Sequence, residues 1–263
     1  MLLLPLIQYL DHQDNATRRA IVEEHLAAFD CPFVRQPYAT GTNLVVELGP
    51  PGPKVGLGTH FDRVPQSPGA NDNGSALAVA LDVVRRHRES GSRAGLKILF
   101  FDEEETGLRG SQAYVAQHGT RELTGLLNLE IVGMGDQFAL WPVPDEATGH
   151  LLAAFEATAR RRGVASRRFD HIVTNTADHV PFRRAGLADA FTLTCISEQD
   201  VAAAARYYQA LALNADRATL GELLTQAPLF RHYHQPTDTH DKLSEATLGM
   251  AAAAVWETLA AVG

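Results

Sequence analysis

The sequence predicts an α/β chain: a single-domain, three-layer α/β/α arrangement around a mixed, largely parallel sheet. Two observations carry this. Short apolar runs alternate with helical patterns along nearly the whole chain, the order that lays helices over a sheet. The runs at 96–101 and 126–132 are apolar at successive rather than alternate positions, as strands covered on both faces must be. No linker divides the 263 residues, and 45% apolar with 21% charged side chains is ordinary for a packed domain.

From the N-terminus, MLLLPLIQYL has no basic leader and no small-residue cleavage site. It runs straight into the polar, helix-like DHQDNATRRAIVEEHL, so the expectation is the buried end of a first helix rather than a targeting signal. Apolar runs at 43–48 and 54–58 read as strands. VPQSPGANDNG, dense in Pro, Gly and Asn, reads as a loop leading into a helix over about 75–89. The run at 96–101 precedes a helix at about 111–118; runs at 126–132 and 138–143 precede a helix over about 146–162; a further run spans 190–195. Residues 197–230 read as a helical insertion, two helices parted near Asn214. Val201, Ala204, Tyr208 and Leu211 form one apolar stripe and Leu220, Leu223 and Leu224 another, suited either to a cover beside a cleft or to a subunit contact. A last helix runs from about 244 to the C-terminus.

Composition excludes several classes. With 31 acidic and 23 basic side chains the net charge is -8, so neither nucleic acid nor an anionic membrane is expected as a partner. Cys31 and Cys195 stand far apart without CxxC spacing, which predicts buried free thiols rather than a disulfide framework or a cysteine-ligated metal. No stretch approaches the roughly 18 consecutive apolar residues of a membrane span. A cytoplasmic location is the expectation, with the oligomeric state open.

Histidines and carboxylates collect where the apolar runs end, the side on which open α/β sheets build their sites. His60 closes one run in GTHFD, and Asp62 is placed to orient its imidazole as carboxylates orient metal-bound histidines. Asp72 in GANDNGS alone would be a turn or capping aspartate. In FFDEEETGLRGS four carboxylates, Asp102 to Glu105, follow a buried run directly, and their repulsion asks for a cation. Glu130 sits within the otherwise apolar NLEIVG, where an ionised side chain needs a partner. His234 lies in the polar YHQPTDT loop. Two histidines and three carboxylates from five separate places suit zinc, manganese or cobalt, in a pair sharing a bridging carboxylate. The chain has no GxSxG elbow, P-loop or GxGxxG fingerprint, so metal-assisted hydrolysis is favoured over a serine hydrolase.

These motifs, from GTHFD through GANDNGSA, EETGLRGS, NLEIVG and DHVPF to YHQPTDT, resemble the co-catalytic zinc aminopeptidases of metallopeptidase family 28, clan MH, which also includes the glutaminyl cyclases. The resemblance implies a zinc-peptidase fold and two zinc ions held by His60, Asp72, Glu105, Glu130 and His234, with Asp72 bridging. It implies Glu104 as general base, the register being set by TGLRGS, and leaves Asp102 and Glu103 without a role. Asp178 and His179 match the family's SDH-type motif, which gives Asp178 a supporting place beside Glu104. The resemblance also implies a cis peptide bond between Asp72 and Asn73. The chain departs from the family pattern at Glu130, where many members have aspartate. It departs again in the interval of twelve positions from His60 to Asp72, and in the 197–230 segment. That short interval leaves no room for the second domain that the carboxypeptidase and deacylase relatives insert.

The implied activity is release of N-terminal residues from peptides. The alternative is a glutaminyl-peptide cyclotransferase with one working zinc. Cyclases usually show tryptophans after the glutamate pair and before the last histidine, whereas EETGLRGS has none and Tyr233 precedes His234. A non-catalytic binding module is disfavoured by the presence of all five ligands and Glu104.

Overall fold

The computed structural model describes residues 2–172 and 176–263. Among them one eight-stranded sheet organises the chain. In chain order the elements are α1 Leu4–Leu10, α2 Asn15–Ala28, β1 Val34–Pro37, β2 Thr42–Leu48, β3 Lys54–His60, α3 Ala76–Ser90, β4 Leu96–Phe101, α4 Arg109–His118, β5 Leu123–Leu129 and β6 Gln137–Trp141. There follow α5 His150–Arg161, β7 Ser166–Arg168, α6 His179–Arg184, β8 Ala190–Ile196, α7 Glu198–Ala212, α8 Arg217–Thr225 and α9 Glu245–Val262.

The strand order is β1-β2-β4-β3-β5-β8-β6-β7. The central strands β4, β3, β5 and β8 run parallel, and antiparallel pairings occur at β1/β2, β2/β4 and β6/β8, so the mixed, largely parallel sheet is as expected. Every residue of β3, β4 and β8 is buried, the mark of strands covered on both faces. One face carries the larger core, where Leu77, Val84, Phe155, Leu248 and Val255 of α3, α5 and α9 meet Leu57, Ile98 and Leu129. On the other, Tyr114 of α4 and Phe182 of α6 pack with Leu99, Phe101 and Leu126. Three layers result.

The differences from the sequence reading have local causes. The first helix is two: Asp14 caps α2 by accepting the Thr17 N–H at 2.7 Å, and His12 has a φ of 60°, which a continuous helix does not allow. Helix α5 begins at His150 rather than near 146, because the carboxylate of distant Asp189 accepts the N–H groups of Leu151 and Leu152. Strand β5 ends at Leu129, so Glu130 stands just past the strand rather than within it. Strands β1 and β7 are short edges with no apolar alternation, and α6 has only six residues, so none announces itself by periodicity. No helix among the described residues is long and apolar enough to cross a membrane.

Candidate metal centre

The parallel strands β3, β4 and β5 all deliver acidic or imidazole groups at their C-terminal ends. His60 is the last residue of β3, the acidic loop follows Phe101 of β4, and Glu130 follows Leu129 of β5. The register sets His60 level with Phe101, so the two strand ends open onto one space.

His60 is 1% exposed. Its Nδ1 lies 3.0 Å from the Asp62 carbonyl and 3.3 Å from Asp62 Oδ1, so a proton on that nitrogen would leave Nε2 free for a metal. Nε2 is left facing Glu130 Oε2 at 3.2 Å and Asp72 Oδ1 at 3.4 Å. Asp62 has a further task that the sequence did not reveal. Its Oδ1 accepts the Glu104 N–H at 3.0 Å and its Oδ2 the Glu105 N–H at 3.1 Å, which ties the acidic loop to the histidine.

Asp72 comes from a tight turn, Ala70–Ser75, in which the Asp72–Asn73 peptide is cis as the resemblance implied. The Asp238 carboxylate, in the segment carrying His234, accepts the N–H groups of Asn71 at 2.8 Å and Asp72 at 3.1 Å. Asn73 donates to Glu130 Oε2 at 2.8 Å, and Asn128 to Glu130 Oε1 at 3.2 Å, fixing its side chain. Asp72 thereby spans two groups: Oδ1 points to His60, while Oδ2 lies 3.2 Å from His234 Nε2. Glu105 Oε2 lies 2.9 Å from the same nitrogen.

Within the acidic run the four carboxylates part company. Asp102 accepts the Thr42 N–H at 3.0 Å, and Glu103 pairs with Arg109 and Thr40, so both serve the scaffold. Gly110 is needed here, since a Cβ on it would meet the Asp102 carbonyl at 2.3 Å. Glu104 gathers with His60 and Glu130, and Glu105 with Asp72 and His234; in each group the donor atoms lie within 4.8 Å of one another. Burial pushes the Glu104 carboxyl well up, assisted by Glu130, Asp178 and Glu105 and opposed by His60. Asp178 is fully buried, and burial raises it to about 8, opposed by His60 and Ser111. When ionised it stands near enough to add to the rise in Glu104. His179 is set against Thr192 at 2.7 Å and lowered by burial to about 3, so it is neutral and packs edge-on to Trp141.

The arrangement fits metal ions. Asp72 Oδ2, Glu105 Oε1 and His234 Nε2 are buried atoms with no geometrically formed hydrogen bond among the described residues. Acidic oxygens and an imidazole nitrogen that crowd to about 3 Å without bonding one another are aimed at a common point, and an oxygen and nitrogen donor set suits zinc. All five residues expected as ligands, with Glu104 and Asp62, thus meet at one place.

A cleft of about 850 Å³, counting its open mouth, lies over His60, Asp72, Glu104 and Glu130. Its floor is apolar, from Ile131, Trp141 and Ile196 among others, and its roof comes from α7, α8 and the turn after them, with Ala204, Leu224 and Phe230. Tyr233 also lines it, its ring stacked on His234 at 3.8 Å between centroids. The sequence reading treated Tyr233 only as the residue standing where cyclases have tryptophan. Asp238, Asn73 and Asn128 were likewise not singled out. Only the D of HxxxDT and the two asparagines flanking ligands in DN and NLE hinted at them.

The family model for peptidase family M28 matches residues 43–259. Aminopeptidase YwaD of Bacillus subtilis is 34% identical over 137 residues, covering 50% of this chain and 30% of its own. The probable lipoprotein aminopeptidase LpqL of Mycobacterium tuberculosis is 29% identical over 215 residues, covering 76% of this chain and 41% of its own. The chain therefore spans less than half the length of these curated relatives. Among solved structures, the zinc aminopeptidase BSAP from Bacillus subtilis superposes with a TM-score of 0.63 at 24% identity over 83% of this chain and 49% of its own. The glutaminyl cyclase of Fimbriiglobus ruber superposes with a TM-score of 0.72 at 17% identity over 98% of this chain and 94% of its own. At such identities the likeness is one of fold.

Proposed function

The chain belongs to peptidase family M28, and from that premise we propose that it is a zinc-dependent aminopeptidase that removes N-terminal residues from peptides. The observation carrying this is the pair of converging donor groups joined through Asp72, with Glu104 at the edge of one of them. His60, Asp72 and Glu130 would hold one ion, and Asp72, Glu105 and His234 the other. Bound there, two divalent ions supply a Lewis acid for the scissile carbonyl and lower the pKa of a water to about 7.

Glu104 accepts the proton of the attacking water and returns it to the departing amine. Its raised affinity for a proton, set first by burial and then by Glu130, suits that exchange. Asp62 is a positioning residue, holding the His60 tautomer and the Glu104–Glu105 backbone together. Tyr233 keeps its phenolic proton, because burial and the carboxylates of Asp72, Glu105 and Glu104 all oppose ionisation, and is a donor available to the substrate carbonyl oxygen. The apolar floor and roof receive an apolar N-terminal side chain. Asp200, which also lines the roof, has its carboxylate taken by Ser197 and the Leu229 N–H and offers no partner to a basic side chain. The free buried thiols Cys31 and Cys195 are consistent with action in the cytoplasm.

The test is a screen of aminoacyl-anilides together with a peptide beginning in glutamine, on protein of measured zinc content. Release of apolar aminoacyl groups without pyroglutamate is expected. Pyroglutamate formation without anilide hydrolysis would overturn the peptidase reading in favour of the cyclase.

A further inference from the structure

Arg18 of α2 is fully buried, and its hydrogen bonds go to backbone carbonyls alone. Nε donates to the Phe61 carbonyl at 2.7 Å, and Nη1 donates to those of Gly69 at 3.1 Å and Leu10 at 3.3 Å. Nη2 is buried, with no hydrogen-bond partner among the described residues. A buried cation with no directly paired anion among the described residues is an expensive way to fill a core site, and Ile21, Val22 and Leu26 show that apolar side chains serve elsewhere on the same helix.

The two loop carbonyls explain the choice. Phe61 lies between His60 and Asp62, and Gly69 opens the turn that delivers Asp72 three residues later. One planar guanidinium thus grips both ends of the interval that separates the two residues. Arg63 braces the same loop from outside through the carbonyls of Val64, Pro65 and Ser67. Burial and neighbouring Arg63 lower Arg18 to about 10, opposed by Asp62, Asp72 and Asp238, the residues that set the His60 and Asp72 geometry. Helix α2 precedes the residues 43–259 that match the family.

We propose that Arg18 is a positioning residue that fixes His60 and Asp72 relative to each other, and so sets the affinity of the centre for its ions. The inference rests on the metal reading given above. Its test is zinc affinity, by competition with a chromophoric chelator, in Arg18→Met and Arg18→Lys, with thermal unfolding of stripped and zinc-loaded protein measured alongside. Leu26→Ala, equally buried on the same helix, controls for damage to α2.

Arg18→Met is expected to weaken zinc binding by about 10- to 100-fold, the usual effect of removing a group that orients a ligand. Arg18→Lys should recover part of that loss, because it keeps the charge but not the fork. Leu26→Ala should lower both unfolding temperatures and leave zinc affinity unchanged. If the Arg18 variants bind zinc as tightly as the parent and only melt earlier, the proposal is overturned; should Arg18→Met fail to fold, Arg18→Lys against Leu26→Ala decides it in the same way. A parent that takes up no zinc would overturn the metal reading, and this inference with it.

Discussion

Glu104 and Glu105 are neighbours in one loop, yet the fold gives them different company: His60 and Glu130 for the first, Asp72 and His234 for the second. Glu104→Gln keeps size and loses the proton acceptor, so kcat should fall about 10²- to 10⁴-fold with zinc content unchanged. Glu105→Gln should instead weaken zinc binding. Kinetics and metal analysis of the two variants check this, and identical behaviour would show that the roles are misassigned. At this scale the sequence was largely legible, because imidazoles and carboxylates at the ends of apolar runs are rare enough to be noticed. Asp62 was read as a partner of His60 but not as the acceptor for two loop N–H groups. Asp238 escaped for the same reason: its partners are backbone N–H groups 166 and 167 residues away, brought near only by folding.

Between residues 197 and 230 the chain forms α7, α8 and a short turn, and their half-buried Ala204 and Leu224 line the cleft over the candidate centre. The helices and the break at Asn214 were readable from the apolar stripes, and in the structure Ser197 and Asp216 cap the two helices. What they cover was not, since an apolar stripe looks the same against a substrate cleft or a second subunit. If the segment is a roof, replacing it with a short Gly-Ser linker should widen tolerance for long peptides in a folded, zinc-loaded protein. Unchanged length preference would dispose of the roof. Ala204→Phe should narrow the cleft and shift preference from large to small apolar N-terminal residues, read as the ratio of kcat/KM for leucyl and alanyl anilides.

Across the whole molecule, the centre concentrates negative charge that the fold alone does not balance. In the metal-free protein burial raises Glu104, Glu105 and Glu130 above their ordinary 4.5, with close carboxylates adding to the effect. Groups raised in this way bind protons more tightly folded than unfolded, so their contribution to stability is present below about 4.5 and lost as pH rises through the folded values. Zinc bound at the centre would remove that penalty at neutral pH. The gap in Tm between zinc-loaded and stripped protein should therefore widen from about pH 5.5 to about pH 7.5, as read by thermal unfolding across a pH series. A constant gap would mean that the carboxylates are not loaded by the ions. The layered α/β plan and the parallel centre of the sheet were legible because buried strands must be apolar throughout. The edge strands β1 and β7 were not, because they are short and largely solvated. The central claim is that two ions share Asp72, and the most direct measurement is calorimetric titration of zinc into stripped protein. Two equivalents per chain are expected; saturation at one, with Glu130→Gln leaving that equivalent undisturbed, would contradict it.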